Sequence, residues 1–322
     1  MKKMLALLLV AAMSLSLFAA CGNTEPETTE PEETVDMFEN SMQKSDPSQD
    51  DVFNVLLVGS SAFYYQVEEM VGVAKGAGIK MNVYNLYYNG CKLSQIHDWW
   101  KNNQANYQMF RTDEFERVKT ENVSLQYAMG LENWDAIAIC DSGIATLRTM
   151  SAADYVAAQD KYMVEILEMF RKEFPMSKLY WQEHNTYQVG FSNDYITVTG
   201  PEDQVADSAV QRERSILISQ KYGIDWVPRG SAGMIARANP VVGDTLCARL
   251  GINGNLGDNA HEGDIGGGQY VTACAWFEVL FGQSCVGNTW RPPYELAEEK
   301  IAILQAAAHE AVAAVYGPGY AK

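Results

Sequence analysis

Three side chains in the sequence have types and spacing that suit nucleophilic catalysis. Ser61 follows the apolar run 54–59, and Asp258 precedes His261 by three positions. A carboxylate on one turn with a histidine can bind one ring nitrogen, which leaves the other free to take a proton from a serine. The pattern indicates Ser61 as nucleophile, His261 as general base and Asp258 as the residue that orients it. A helix cap, which Ser60 and Ser61 both suit, is the structural alternative.

The elements that would position these residues alternate between strands and helices. Apolar runs predict strands at 54–58, 81–88, 134–140, 178–183 and 225–228. Helices are predicted at 64–76, 93–99, 152–174, 204–222, 265–281 and 296–316. This alternation predicts an α/β fold, a three-layer α/β/α sandwich around a five-stranded parallel sheet. Residues 102–122 are polar and poorly periodic, which indicates an excursion over the strand ends.

The N-terminal residues have the features of an export signal and a tether. Lys2 and Lys3 precede an apolar run that ends in Ala19, Ala20 and Cys21, a pattern typical of a lipoprotein signal with Cys21 as the lipidated residue. Ordinary secretion is the alternative. Residues 22–51 hold ten carboxylates and one lysine, with few large apolar side chains, and predict a disordered acidic tether. We therefore expect three parts: 1–21, 22–51 and a folded domain over 52–322, lipid-anchored outside the cytoplasm.

Net charge and cysteine spacing argue against several classes of binding partner and of metal or redox site. The formal net charge of −17 argues against nucleic acid as a partner, and neutral glycans or small esters fit better. The cysteines are spaced irregularly and form no Cys-x-x-Cys pair, so neither a zinc ribbon nor a thioredoxin-like site is indicated. Residues 253–264 are rich in oxygen ligands that could hold calcium, but they lack the EF-hand pattern. We expect no metal and no cofactor.

Several short blocks resemble a known superfamily. Gly59-Ser60-Ser61 at the end of the first strand, Gly90 after the second and Asp258-x-x-His261 before a late helix are similar to blocks one, two and five of the SGNH (GDSL-type) hydrolases. One uncharacterised branch is closer, with Gly-Asn-Ser-Phe, Gly-Gly-Cys-Ser-Leu, Trp-Asp and Asp-x-x-His blocks. The corresponding residues here lie at 59–62, 89–93, 134–135 and 258–261.

The resemblance implies a flavodoxin-like sheet and a serine esterase mechanism. Ser61 would attack an ester carbonyl while His261 acts as base and then as acid. The backbone N–H groups of Ser61 and Gly90 would bind the oxyanion. From the substrates typical of the family, the resemblance implies that the protein removes acetyl groups from carbohydrates. The expected partner is therefore an acylated carbohydrate or a small ester.

The resemblance also implies a third oxyanion donor, an Asn or Gln, at the end of the third strand. Cys140 and Asp141 stand there instead. A thiol donates weakly and an ionised carboxylate repels an oxyanion. Three alternatives follow for the oxyanion-binding site. It could use only the two backbone donors, it could use the side chain of Gln182 or Asn185 as the third donor, or the protein could be inactive.

The sequence also leaves open which residues bind the substrate and whether the protein is an enzyme. Asp141, Gln182 and His97 are candidate substrate-binding residues, and for His97 packing on a helix is an equal alternative. The competing functional class is a non-catalytic glycan- or ligand-binding lipoprotein on the same fold. A solute-binding lipoprotein would need two lobes, and only one set of strands is predicted.

Overall fold

A seven-stranded mixed sheet forms the centre of the computed structural model, which describes residues 51–113, 116–246 and 266–322. The strands are β1 (Phe53–Gly59), β2 (Met81–Tyr87), β3 (Tyr107–Asp113), β4 (Glu116–Val123), β5 (Ala136–Cys140), β6 (Lys178–Gln182) and β7 (Asp225–Val227). Their order is β4-β3-β2-β1-β5-β6-β7. The five strands β2-β1-β5-β6-β7 are parallel, and β3 and β4 pair antiparallel at the β2 edge.

The predicted five-stranded parallel sheet is therefore wrong in its strand number and in its direction at one edge. The two additional strands arise from 107–123, which the sequence presents as a polar excursion. This hairpin is at the edge of the sheet, where Val118 and its neighbours face solvent, so it contains no continuous apolar run. Over β3, the buried apolar side chains of Tyr107, Met109 and Phe110 are interrupted by polar residues.

Helices flank the sheet on both faces. They are α1 (Val67–Gly76), α2 (Leu93–Lys101), α3 (Leu125–Met129), α4 (Ala152–Glu173), α5 (Pro201–Tyr222), α6 (Arg229–Ala238), α7 (Gly268–Phe281) and α8 (Glu298–Tyr316). The six predicted helices are present with ends shifted by a few residues. The short helices α3 and α6 were not predicted.

The two large apolar clusters of the described residues lie one on each face of the sheet, and a smaller third cluster includes Tyr187 and Phe191. Val55 and Leu57 of β1 face the cluster that includes α1, α6, α7 and α8. Leu56 and Val58 face the other cluster, which includes α2, α3, α4 and part of α5. The alternation follows from the two-residue period of a strand, and a strand buried on both faces reads as one apolar run.

The order of the parallel strands creates a switch point beside β1. The chain passes from β1 to β2 on one side and later returns to β5 on the other. In open α/β sheets, ligands bind at such a point, outside the carboxyl ends of the strands. The sheet therefore places the residues that follow Gly59 where a ligand is expected.

Four cysteines in the described part of the chain, Cys91, Cys140, Cys274 and Cys285, are reduced and buried. They behave as small apolar side chains within the core.

None of the helices in the described part of the chain combines the length and the hydropathy that a membrane span requires. The predicted boundaries at residues 21 and 51 and the lipidation site Cys21 lie at or before the first described residues.

Candidate active site

Ser60 and Ser61, in the turn after β1, have different roles. Gly59 ends the strand, and a Cβ there would lie 1.9 Å from the carbonyl oxygen of Cys140, so only glycine allows β1 and β5 to approach this closely. The buried Ser60 caps the short 3-10 helix Ser61–Phe63, and its hydroxyl accepts from the N–H of Ala62 at 3.3 Å. Ser61 is only half-buried, and its hydroxyl has no hydrogen-bond partner among the described residues. The cap is therefore Ser60, and Ser61 presents the available hydroxyl.

Gly90 lies at the end of the strand next to β1. The N–H of Tyr88 donates to the carbonyl of Gly59 at 3.1 Å, which ties the β2 end to the β1 end. Gly90 is exposed, has a φ of +65°, and would have no atom within 4 Å of an added Cβ. The positive φ, rather than a lack of space, is what favours glycine here.

The backbone N–H groups of Ser61 and Gly90 share a property. Within the part of the chain that the structure describes, neither donates a hydrogen bond to any protein acceptor. Most backbone N–H groups in folded proteins have partners, and those that do not are available to water or a ligand. Two such groups at the carboxyl ends of neighbouring strands can stabilise a developing negative charge.

Asp141, at the place of the expected third donor, is held inside the protein. Its carboxylate accepts from the Tyr155 hydroxyl at 2.7 Å and from the N–H of Gly143, with Arg214 close by. Burial raises the pKa of Asp141 to about 6, against the lowering effect of the Tyr155 hydroxyl and Arg214. The neighbouring Cys140 thiol donates to the backbone oxygen of Asp141 at 3.4 Å, and burial raises its pKa. Neither side chain is available as an oxyanion donor.

Gln182 lies beneath the Ser61 turn. Its amide nitrogen donates to the carbonyl oxygen of Ala62 at 2.8 Å, and its amide oxygen accepts from Gln66 at 3.0 Å and from Trp276 at 2.7 Å. The side chain is fully buried. The structure thus places Gln182 in a network of buried hydrogen bonds that adjoins the serine.

His97 lies between α2 and α4. Its Nε2 is 3.1 Å from Glu165 Oε2, its Nδ1 is 3.3 Å from Asp98 Oδ1, and its ring contacts those of Trp100 and Tyr162. The structure places this side chain in a contact between two helices, on the face opposite α1.

Asp258 and His261 lie outside the described residues, which stop at Leu246 and resume at Gly266. The described residues on either side are close together, since a Cβ on Gly266 would lie 1.9 Å from the Thr245 carbonyl oxygen. Gln269, eight positions after His261, donates to Glu69 at 2.8 Å and to the Tyr65 carbonyl at 3.2 Å when its amide is oriented to suit these neighbours. The first turn of α7 therefore contacts the segment that follows Ser61.

An aromatic cluster follows the serine turn. The ring of Tyr64 lies 4.8 Å from that of Tyr65, 4.9 Å from Tyr87 and 5.0 Å from Phe110. The three tyrosines are half-buried, so part of each side chain is exposed to solvent beside the turn. Accessible aromatic rings can bind the apolar faces of sugars or acyl groups.

Two charged residues near the strand ends were missed by the sequence analysis. Glu183 is fully buried after β6, where it accepts from the N–H of Ser231 at 2.7 Å and from its hydroxyl at 3.0 Å, and burial raises its pKa to about 7. Arg229, the first residue of α6, donates to the carbonyl of Ala62. The signal available was their position at the ends of predicted strands, since Glu183 is the last residue of the strand predicted at 178–183 and Arg229 follows the one predicted at 225–228.

Metal-binding side chains do not cluster in the described residues, where no group of three or more His, Cys, Asp or Glu could hold an ion. The calcium candidate at 253–264 lies outside those residues.

Comparison with known proteins establishes the family. The profile of the domain of unknown function DUF4886 matches residues 54–311. The chain belongs to the DUF4886 family. No curated protein matches it. A DUF4886 protein from Bacteroides uniformis is similar over 84% of this chain and 98% of its own, with a TM-score of 0.67 and 21% identity. At that identity the likeness shows the DUF4886 fold.

Two weaker structural similarities concern proteins described as ester hydrolases. An acetyl xylan esterase has a TM-score of 0.44 and 11% identity, covering 70% of this chain and 99% of its own. A proposed GDSL-like lipase from Parabacteroides merdae has a TM-score of 0.42 and 13% identity, covering 71% of this chain and 95% of its own.

Proposed function

We propose that this DUF4886 protein is a serine hydrolase that cleaves carboxylic esters. The observation that carries the proposal is the grouping at the switch point of the sheet. There the half-buried hydroxyl of Ser61 has no described partner, and the N–H groups of Ser61 and Gly90 have no protein acceptor among the described residues. A nucleophile beside preorganised donors is the minimum that acyl transfer requires.

The reaction proceeds by acyl transfer to the serine and then to water. His261 takes the proton of Ser61 while its Oγ bonds to the ester carbonyl carbon, and Asp258 orients the imidazole. The oxyanion binds the N–H groups of Ser61 and Gly90. His261 then protonates the departing alcohol, the acyl group stays on Ser61, and a water activated by His261 releases it as the acid.

The oxyanion hole in this proposal uses two backbone donors. The side chains of Asp141 and Cys140 are engaged inside the protein. The amide nitrogen of Gln182 already donates to the carbonyl of Ala62. Because removing one oxyanion donor typically slows catalysis by about a hundredfold or more, we expect modest turnover.

Acetyl groups on carbohydrates are the proposed substrates. An acetyl group is small enough to fit beside a serine on a tight turn, and the rings of Tyr64, Tyr65 and Tyr87 offer a surface for a sugar. The acidic chain, with its net charge of −17, disfavours anionic polymers.

Hydrolysis assays on paired serine variants test the proposed function. Acetate release from acetylated xylo-oligosaccharides and hydrolysis of p-nitrophenyl acetate should fall to background in Ser61→Ala. Ser60→Ala is the matched control: it loses about 1 kcal/mol of stability with the cap but keeps its nucleophile and measurable activity. Equal activity in Ser61→Ala and wild type would contradict the proposal. A folded wild type without activity would favour the glycan- or ligand-binding alternative.

We also propose that the protein is a lipid-anchored surface protein. The support is the sequence alone: an apolar leader that ends at Cys21, followed by the acidic segment 22–51. Fractionation of the source bacterium tests this proposal, since wild type should sediment with membranes and Cys21→Ala should not. Equal release of both forms into the medium would contradict the anchor.

A further inference from the structure

The carbonyl oxygen of Ala62 is bound in an unusual way for a residue in a helical turn. The two preceding carbonyls have backbone partners: Ser60 accepts from Phe63 at 3.1 Å, and Ser61 accepts from Tyr64 at 3.1 Å. Ala62 instead accepts from two side chains, Gln182 at 2.8 Å and Arg229. These residues are 120 and 167 positions away in the sequence.

The orientation of the Gln182 amide is fixed by its other bonds. Its oxygen accepts from the side chains of Gln66 and Trp276, so its nitrogen must face Ala62. Because the Trp276 indole N–H can only donate and the Ala62 carbonyl can only accept, a reversed amide would set donor against donor at Trp276 and acceptor against acceptor at Ala62. Because Gln182 is completely buried, no solvent would compensate for those losses.

Arg229 is also buried where it meets Ala62. It opens α6 and is 1% exposed. The same helix end is bound by Glu183, whose carboxylate accepts from Ser231. A guanidinium that donates to a carbonyl in a buried site forms a strong, charge-assisted hydrogen bond.

We propose that Gln182 and Arg229 are positioning residues that clamp the nucleophile turn through Ala62. This inference rests on the proposed function, because the turn they hold is the one that carries Ser61. Among the described residues, neither side chain donates a hydrogen bond to the serine hydroxyl. By fixing the Ala62–Phe63 peptide, one peptide beyond Ser61, they restrain the whole turn and with it the direction of the serine side chain and of its own N–H.

The proposal predicts a loss of reactivity that exceeds the loss of stability. A displacement of about 1 Å at a reacting group can slow catalysis by on the order of a hundredfold. Without the clamp, the turn keeps its Ser60 cap and its two backbone hydrogen bonds but loses its tie to β6 and α6. We therefore expect kcat to fall while KM changes little.

Three variants of the full chain separate positioning from general stability. Gln182→Met and Arg229→Met remove the donors to Ala62, and Arg229→Lys keeps one charged donor. Gln305→Met is the matched control, since Gln305 is also buried and also makes three hydrogen bonds, with Tyr270, Asn288 and Gly287. Two quantities are compared at a temperature well below every Tm: the rate of labelling by a fluorophosphonate probe, and hydrogen exchange in peptides that contain residues 59–66.

The expected results distinguish this inference from the proposed function. Gln182→Met and Arg229→Met should label at least about tenfold more slowly than wild type and exchange faster over 59–66, with Arg229→Lys in between. Gln305→Met should match wild type in both. If Gln182→Met resembles Gln305→Met in labelling and in exchange, the clamp is refuted. If the wild type does not label, the proposed function fails, and the exchange data still decide whether the clamp exists.

Discussion

At the scale of single residues, the site depends on a division of labour between neighbours. Ser60 is buried and caps the turn, which leaves Ser61 half-buried with an available hydroxyl. Gly59 makes this geometry possible because β1 and β5 approach too closely for a side chain. Each of the three residues has one task, and the two serines differ in task only because of their positions in the turn.

Replacement of Gly59 tests the close approach of the two strands. In Gly59→Ala the added Cβ would meet the Cys140 carbonyl, a backbone atom that cannot move aside cheaply. We expect a loss of about 1–3 kcal/mol or more in the free energy of unfolding, measured by urea titration. Gly319→Ala is the control, because no atom lies within 4 Å of its added Cβ. Equal stabilities for the two variants would show that β1 and β5 are farther apart.

At the scale of elements, the sequence predicts those strands and helices whose apolar residues recur with a clear strand or helix period. The five parallel strands and six helices fall in this class, as does the place of Ser61 after β1. The hairpin β3–β4 was missed because its outer strand is largely solvent-exposed, and α6 was missed because Gly230 and Gly233 interrupt a short helix. Contacts such as Gln182 with Ala62 join residues 120 positions apart, and no local pattern encodes them.

The hairpin is anchored to the serine segment by one arginine. Arg117 of β4 pairs with Glu68 of α1, donates to the Tyr64 carbonyl at 2.8 Å, and lies 4.4 Å from the centre of the Tyr64 ring. The side chains of Arg117 and Glu68 are 19% and 17% exposed, so the pair is shielded from solvent on most sides.

Removal of Arg117 should therefore cost more than removal of an exposed neighbour. We expect Arg117→Met to lose about 2–4 kcal/mol, because Glu68 would keep a partly buried charge without its partner. Lys119→Met is the control: its pair with Glu121 is about half exposed and should contribute less than about 1 kcal/mol. Urea titration measures both. A loss in Lys119→Met as large as in Arg117→Met would contradict this account of the hairpin.

At the scale of the whole molecule, we expect buried carboxyl groups to make stability depend on pH. Burial raises the pKa of Glu69 to about 8, of Glu183 to about 7 and of Asp141 to about 6. Each group holds its proton in the folded chain at a pH where the unfolded chain has released it. The stability contributed by these protons is complete below about pH 4 and is lost as pH rises through each folded pKa.

Glu69 provides the clearest test of this pH dependence. Its Oε1 accepts from the Tyr294 hydroxyl at 2.8 Å, and its buried Oε2 has no hydrogen-bond partner among the residues that the structure describes. Between pH 5 and pH 8 the wild type should lose stability relative to Glu69→Gln, by at most about 1.4 kcal/mol per pH unit. Urea titrations of both proteins across that range give the difference. A constant difference would contradict the burial of a protonated Glu69.

The central claim is that Ser61 is an activated nucleophile, and one labelling experiment tests it most directly. The full chain is treated with a fluorophosphonate probe, and the modified residue is located by tandem mass spectrometry, with Ser61→Ala and His261→Ala beside the wild type. We predict a single adduct on Ser61 that is absent in Ser61→Ala and strongly slowed in His261→Ala. A folded wild type that takes up no probe, or an adduct that persists in Ser61→Ala, would contradict the claim.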